Sequence, residues 1–415
     1  MKRAIARVAV SLSAAALLAC GKDPVDSGGG GGDPKLALSL DSVTLDVGTS
    51  AAVAATVQNT TETAQFVSRD PGVATVNGSG AINGVAVGTT YVVATLANNA
   101  SVRDSVRVRV RVPIDGEWGL RANLLINNSE FALAEANGKL YVLGGYPPMQ
   151  GPNRTSDAVQ VYDIASDRWQ LGPPLPQPNN HGMAASVNGK VYLLGGQFTD
   201  DQQGATAVNS VWELNPATGT WVAKAPMPTA RSGGVAVAHG GKIYVAGGRV
   251  PRGNDFAVYD PAANQWEVLP DLPSQRNHIA GAAINGRIHI VGGRLGNGLS
   301  PLKSTAHEVF DPQTRTWTTA APMLSGRSGI NGVVARGCFH VWGGESPSGM
   351  SPQHEYYDPR TNQWVSLRNM EIPIHGVVGS AFVDGLIWVT GGGTNVGGSF
   401  GSLHNQTYKP VVSCE

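Results

Sequence analysis

The chain has 415 residues, room for two or three domains, and a 41% hydrophobic content leaves enough apolar surface for real cores, which excludes a disordered polymer. Thirty Lys and Arg cancel thirty Asp and Glu and no dense basic run appears, so the sequence offers nucleic acid neither a global nor a local field. Charged residues reach only 14%, below the roughly 25% of an average domain, while 54 glycines are about twice the usual share, a composition of short strands and tight turns.

Lys2, Arg3 and Arg7 precede an apolar run from Val8 to Leu18, which is too short for a spanning helix and ends at Ala19-Cys20. This is an export signal. Its Leu17-Leu18-Ala19-Cys20 end resembles the lipobox of bacterial lipoproteins, and the resemblance implies that residues 1–20 are a lipoprotein signal peptide with Cys20 as the acylated anchor. More than one acyl chain on that residue makes attachment stable. Gly21 in the next position resembles outer-membrane sorting, so the expected location is the cell envelope, facing the periplasm or the cell surface. Residues 21–34, with glycine unbroken from Gly28 to Gly32, read as a flexible tether.

From 35 to 112 the pattern becomes short alternating runs rich in Val, Thr and Ala. Ser42-Val43-Thr44-Leu45-Asp46-Val47, Tyr91-Val92-Val93-Ala94-Thr95 and Ser105-Val106-Arg107-Val108-Arg109-Val110 predict half-buried strands of a small β-sandwich. The stretches Thr44-Leu45-Asp46-Val47-Gly48, Asp70-Pro71-Gly72-Val73-Ala74-Thr75-Val76 and Gly84-Val85-Ala86-Val87-Gly88-Thr89 resemble the bacterial Ig-like domain of the BIG2 type, with Phe66 where that family often has Trp. The resemblance implies a spacer or adhesion module.

Residues 113–415 carry a repeat. Glycine doublets close apolar strands at Gly144, Gly195, Gly247, Gly292, Gly343 and Gly391, spaced 45 to 52 residues apart. After each of the first five comes an aromatic or Leu and, seven residues on, a Trp: Tyr162 and Trp169, Leu214 and Trp221, Tyr259 and Trp266, Phe310 and Trp317, Tyr357 and Trp364. Doublet, aromatic and Trp in register resemble the Kelch repeat, which implies an all-β chain whose six four-stranded blades stack radially into a propeller behind the sandwich. The aromatics read as core, with the doublets letting backbone pass beneath them. The sixth repeat ends without a Trp strand, and Glu117-Trp118-Gly119-Leu120 stands alone upstream, so this N-terminal strand is expected to complete the last blade. Cys338 and Cys414 then fall on one face, where an oxidising compartment permits a disulfide locking the tail, provided the Cα atoms lie within ~7 Å.

Aligned on the doublets, the position seventeen before the second Gly reads Asn128, Asn179, Arg231, Arg276, Arg327 and His375. The next two columns add Ser129, Asn180, Ser232, Asn277 and Ser328, then Glu130, His181 and His278. These residues are expected around one mouth of the central channel, where Arg forks and imidazoles suit an anion, a carboxylate or a hydroxylated sugar; Asn128, Asn179, His181, Arg231, Arg276, His278, Arg327 and His375 are the candidate ligand contacts. Arg before Ser or Asn also holds loops in Kelch repeats, so a scaffolding role stands beside the binding one. The first residues after the doublets, Tyr146, Gln197, Arg249, Arg294 and Glu345, differ in charge, as a tailored binding face requires.

No metal-spaced His/Cys motif or nucleophile elbow occurs, so neither metal nor cofactor is expected. The leading expectation is a lipid-anchored binding protein presenting its loop face to a glycan, peptide or protein partner, with no nucleic acid, no membrane contact beyond the anchor, and a monomeric state, since a closed propeller needs no second copy for stability. The alternative comes from a resemblance to bacterial sialic-acid mutarotases, six-bladed periplasmic Kelch proteins, which implies sugar-anomer isomerisation with Glu130 and Glu345 as candidate acid and base.

Overall fold

The computed structural model describes residues 32–47, 49–111, 116–147, 155–199, 206–249, 253–296, 303–398 and 401–415, all strand, turn or loop. Cys20, most of the tether and Gly48 lie outside the described residues. The chain divides into two compact units, Met1–Pro113 and Ile114–Glu415.

In the first unit, the strand Asn99–Arg111 is central to a four-stranded sheet, pairing parallel with Ser42–Asp46 and antiparallel with Gly88–Leu96, which in turn pairs with Ala64–Ser68. A three-stranded sheet of Ser50–Ala52, Ala81–Gly84 and Ala74–Val76 covers its inner face. Period-two alternation decides which side is which: Val106, Val108 and Val110 are buried against Leu45, Val53 and Ile82, while the arginines between them face out.

The second unit contains five four-stranded antiparallel sheets and one more of four antiparallel strands with Val377–Val378 added in parallel to Phe131–Ala136. Blade one, for example, runs Phe131–Ala136, Lys139–Leu143, Val159–Asp163, Arg168–Leu171. The sixth takes its outer strand from the start of the unit, Glu117–Arg121 against Asn405–Lys409, with Trp118 directly opposite Tyr408. That cross-strand pair repeats around the ring. Tyr162 faces Trp169, Tyr259 faces Trp266, Phe310 faces Trp317 and Tyr357 faces Trp364, with ring centroids 4.9 to 5.5 Å apart. In five blades the indole N–H donates to a backbone carbonyl of the preceding blade, as Trp169 does to Ala122 at 2.8 Å, so each Trp packs its own blade and ties it to its neighbour.

The doublets do something other than pass beneath these aromatics. Each second Gly donates its N–H to a carbonyl of the following blade: Gly145 to Asn179, Gly196 to Arg231, Gly248 to Arg276, Gly293 to Arg327, Gly344 to Ile374, and Gly392 back to Asn128, at 2.7 to 3.1 Å. This ring of six bonds closes on itself. A Cβ on Gly144 would lie 2.2 Å from the Asn179 carbonyl, and both doublet residues have positive φ, so glycine is needed here for blade-to-blade contact.

Cys338 and Cys414 form a disulfide with Cα atoms 5.0 Å apart, tying the tail beyond blade six to blade five, where the Cys414 N–H also donates to the Arg336 carbonyl. The bridge closes a separation of 76 residues. C414S is expected to lower stability by about 2–4 kcal/mol, read as a drop in the urea midpoint that reducing agent reproduces in the parent protein and not in the variant.

Candidate functional site

The inner strands converge on the axis around a channel cavity of about 350 Å³, walled by small apolar residues such as Ala184, Val235 and Ala280. At one end, the residues entering these strands form a backbone circlet. His181 donates its N–H to the Glu130 carbonyl, Gly233 to His181, His278 to Gly233, Gly329 to His278 and Gly376 to Gly329, at 2.7 to 3.2 Å. All six circlet residues have positive φ, between 50° and 67°. Glycine adopts that conformation freely and other residues at a cost of about 1–2 kcal/mol each. Three positions are glycine, yet Glu130, His181 and His278 accept the strain. Their side chains use space the glycines leave: a Cβ on Gly376 would sit 2.5 Å from the Glu130 carboxylate, and one on Gly233 would sit 3.2 Å from the His278 ring.

A second layer comes from the residues after the doublets, which bridge to the Ser/Asn column (Ser129 with Tyr146, Asn180 with Gln197, Asn277 with Arg294, Ser328 with Glu345). Arg249 Nη2 donates to His181 Nε2 at 2.8 Å and Arg294 Nη2 to His278 Nε2 at 3.0 Å. Arg294 also pairs with Glu345 at 2.6 Å, and the Gly397 N–H donates to the other Glu345 oxygen. His375 Nδ1 stands between two carboxylates, 3.6 Å from Glu130 and 3.7 Å from Glu345. Every one of these side chains is buried.

The neighbours fix the tautomers. The Asn180 amide donates to Thr155 Oγ1 and the Thr199 carbonyl, which turns its oxygen to His181 Nδ1 at 2.6 Å; Asn277, donating to the Gly296 carbonyl, holds His278 Nδ1 in the same way. Both rings therefore carry hydrogen on Nδ1 and aim a lone pair from Nε2 into the site. Burial, reinforced by the charges of Arg249 and Arg294, holds both imidazoles well below their usual pKa, so they are neutral. Burial pushes the Glu130 carboxyl up against the pull of His375, and one of its oxygens lies 3.1 Å from His181 Nε2. Glu345 goes the other way: burial alone would raise it, but His375, Arg294 and the Gly397 N–H outweigh burial and hold it below the usual carboxylate range.

The candidate residues separate into two groups. His181, His278, His375, Glu130 and Glu345 meet at the circlet. Asn128, Asn179, Arg231, Arg276 and Arg327 turn away into the blades. Asn128, Asn179, Arg276 and Arg327 each donate to the carbonyl of the first doublet glycine, sixteen residues on. Arg231 donates to the Val245 and Asp255 carbonyls. The three guanidiniums are ion-paired with Asp255, Glu308 and Glu355. Their place is structural, because carboxylates in the third strands, or directly before one in the case of Asp255, hold them off the axis. His375 also belongs one column later than its spacing implies: it bridges Gly393, as Asn277 bridges Arg294, and Ile374 holds the first-column position. The innermost segment of blade six breaks and takes up one extra residue: Val377–Val378 pairs in parallel with Phe131 and Ala132 of blade one, and Ala381–Val383 alone pairs within blade six. Arg249 and Arg294 were visible in the sequence only as charged loop starts. Their signal is the position directly after a doublet, which the doublet geometry aims at the axis.

Glu130, His181 and His278 also bring three metal-type ligand atoms within 4.8 Å of one another. No spacing motif announces this set, since each residue comes from a different blade. The guanidiniums already on both Nε2 atoms make the set unwelcoming to a cation.

A profile of the KLHDC2/KLHL20/DRC7 Kelch-repeats domain matches residues 130–332. Kelch-like protein terF of Aspergillus terreus is 30% identical over 326 residues, 73% of this chain and 70% of that protein. Kelch repeat and BTB domain-containing protein 12 of Homo sapiens is 31% identical over 118 residues, 26% of this chain, and the match spans only 19% of that larger protein. Among solved structures, the one described as "Structure of YjhT" superposes with a TM-score of 0.57 over 69% of this chain and 96% of its own, at 17% identity, a likeness of fold. With six blade sheets, a closed ring of doublet bonds and a relative matched over most of its length, this chain belongs to the Kelch-repeat family.

Proposed function

We propose that this protein is a binding protein of the bacterial envelope, exported and held by lipid on Cys20, in which a BIG2-type Ig-like domain carries a six-bladed Kelch propeller whose loop face meets a glycan, peptide or protein partner. Kelch relatives support an interaction role for the propeller. The observation that carries a ligand site is the circlet, where three polar side chains occupy left-handed positions suited to glycine and converge on one buried point. Strain of this kind is kept where the side chain is needed. Tyr146, Gln197, Arg249, Arg294 and Glu345 give that point an uneven charge pattern suited to a specific polar ligand.

One observation favours the sugar-anomer isomerase reading as the second choice. Glu130 and Glu345, whose carboxyls are driven in opposite directions, flank His375. Two buried carboxyls whose pKa values are pushed apart suit proton transfer at two oxygens of one sugar.

Ligand-observed NMR of the whole protein against acidic and neutral sugars tests both readings. Line broadening without faster anomer exchange is the expected result; broadening with faster exchange, lost in both E130Q and E345Q, moves the assignment to the isomerase, and silence across the panel removes the sugar ligand and leaves a protein partner. H278G is expected to keep stability within about 1 kcal/mol, strain relief offsetting lost contacts, while abolishing any broadening seen.

A further inference from the structure

The N-terminal sandwich hides a charge asymmetry behind its balanced composition. Because the strand Asn99–Arg111 alternates with period two, Arg103, Arg107, Arg109 and Arg111 emerge on one face of the four-stranded sheet, opposite the buried valines. Arg107 lies in register with Tyr91, and the Arg69 guanidinium stands 5.5 Å from the Tyr91 ring centroid, so a fifth arginine joins the same face. The acid among them, Asp46, is taken by Arg111 at 2.7 Å. Arg69, Arg103, Arg107 and Arg109 make no ion pair among the described residues. Beside them Val67 is 63% exposed and Tyr91 40%.

We propose that this sheet face docks on an anionic phospholipid surface. Four unpaired guanidiniums on a flat sheet complement lipid phosphates, and Tyr91 and Val67 supply the amphipathic and apolar groups that settle at a headgroup boundary. The occupant follows from the chain's own geometry. If Cys20 is acylated, fourteen residues of glycine-rich tether keep the sandwich within roughly 20 Å of the bilayer. At that range a membrane is the polyanion this face meets most often. The cellular role therefore rests on the lipid-anchor reading, while the affinity of the face does not. The membrane contact then extends past the lipid.

The test uses whole unlipidated protein, C20S, sedimented with vesicles. Binding is expected on phosphatidylglycerol-containing vesicles and not on phosphatidylcholine, falling with salt. At roughly fivefold per arginine, R107Q/R109Q weakens it roughly 25-fold, whereas R168Q, on an outer strand of the propeller, leaves it unchanged. An unaltered melting temperature of the double variant ties the loss to the surface. Equal binding to both vesicles, full binding by R107Q/R109Q, an equal loss in R168Q, or no vesicle binding beside retention on heparin overturns the proposal. The mass of the unmodified protein extracted from membranes reports separately whether Cys20 is acylated.

Discussion

Lowering the pH from 6.5 to 4.5 is expected to remove about 5 kcal/mol of the propeller's stability, because blades four and five each bury a hydrogen-bonded pair of neutral histidines. His289 Nδ1 lies 2.8 Å from His307 Nε2, and His340 Nδ1 lies 3.1 Å from His354 Nε2. All four rings are buried. Burial pushes His289 and His340 down to about 3 and His307 to about 4, and holds His354 well below its usual value. The sign follows from the unfolded chain, which takes up these protons near pH 6.5 while the folded chain refuses them until about pH 3 to 4. Stability is thus complete above pH 6.5 and lost as the pH falls toward the folded values. Counting a single proton for each pair, the least that uptake by these rings allows, gives the figure above at about 1.4 kcal/mol per pH unit; His181 and His278 act in the same direction, and carboxylates with lowered pKa values, such as Asp163 at about 2, act only at lower pH. Urea unfolding at pH 7.5, 6.5, 5.5 and 4.5 measures the slope, and H307Q is expected to flatten it by about 1.4 kcal/mol per unit. A flat profile in the parent protein would mean that the rings are hydrated or already charged in the fold.

Arg276 and Arg327 give the second large effect. Arg276 is fully buried, donates to the Gly292 carbonyl and pairs with Glu308; Arg327 donates to the Gly343 carbonyl and pairs with Glu355. Truncating either guanidinium leaves a buried carboxylate without its cation, a change worth about 3–5 kcal/mol. R276A and R327A are each expected to lower stability by that amount while leaving ligand affinity within about twofold where the folded protein is assayed. The double change R276M/E308M, which removes both charges, is expected to recover most of the R276A loss, since paired removal of a buried ion pair is often close to neutral. Loss of ligand affinity without loss of stability would return these arginines to the binding surface.

What the sequence revealed follows from which interactions are local. The doublets and the cross-strand Tyr and Trp pairs recur at fixed offsets within one repeat, so the Kelch pattern could be read without coordinates, and the same offsets led to the circlet residues Glu130, His181 and His278. Side-chain direction was not legible. Arg276 leaves the axis because of Glu308, thirty-two residues away on a neighbouring strand, although an acid two residues before the third-strand aromatic in the blades of Arg276 and Arg327 was a signal available to sequence reasoning. His375 lay outside the counting because blade six carries one residue more, absorbed at a break that no periodicity reveals. Arg249 and Arg294 joined the site only when the glycine geometry was known. The basic face of the sandwich escaped a search for charge runs because alternate arginines interleave with valines, and only the two-residue period of a strand gathers them on one side.

The central claim is that ligand chemistry sits in the circlet and the arginine column is scaffold. Its most direct test repeats the sugar panel on the whole protein in two variants, H181Q/H278Q and R276M/E308M. The account expects line broadening to vanish in the first and persist in the second; broadening that survives in the histidine variant and disappears in the arginine variant would contradict it.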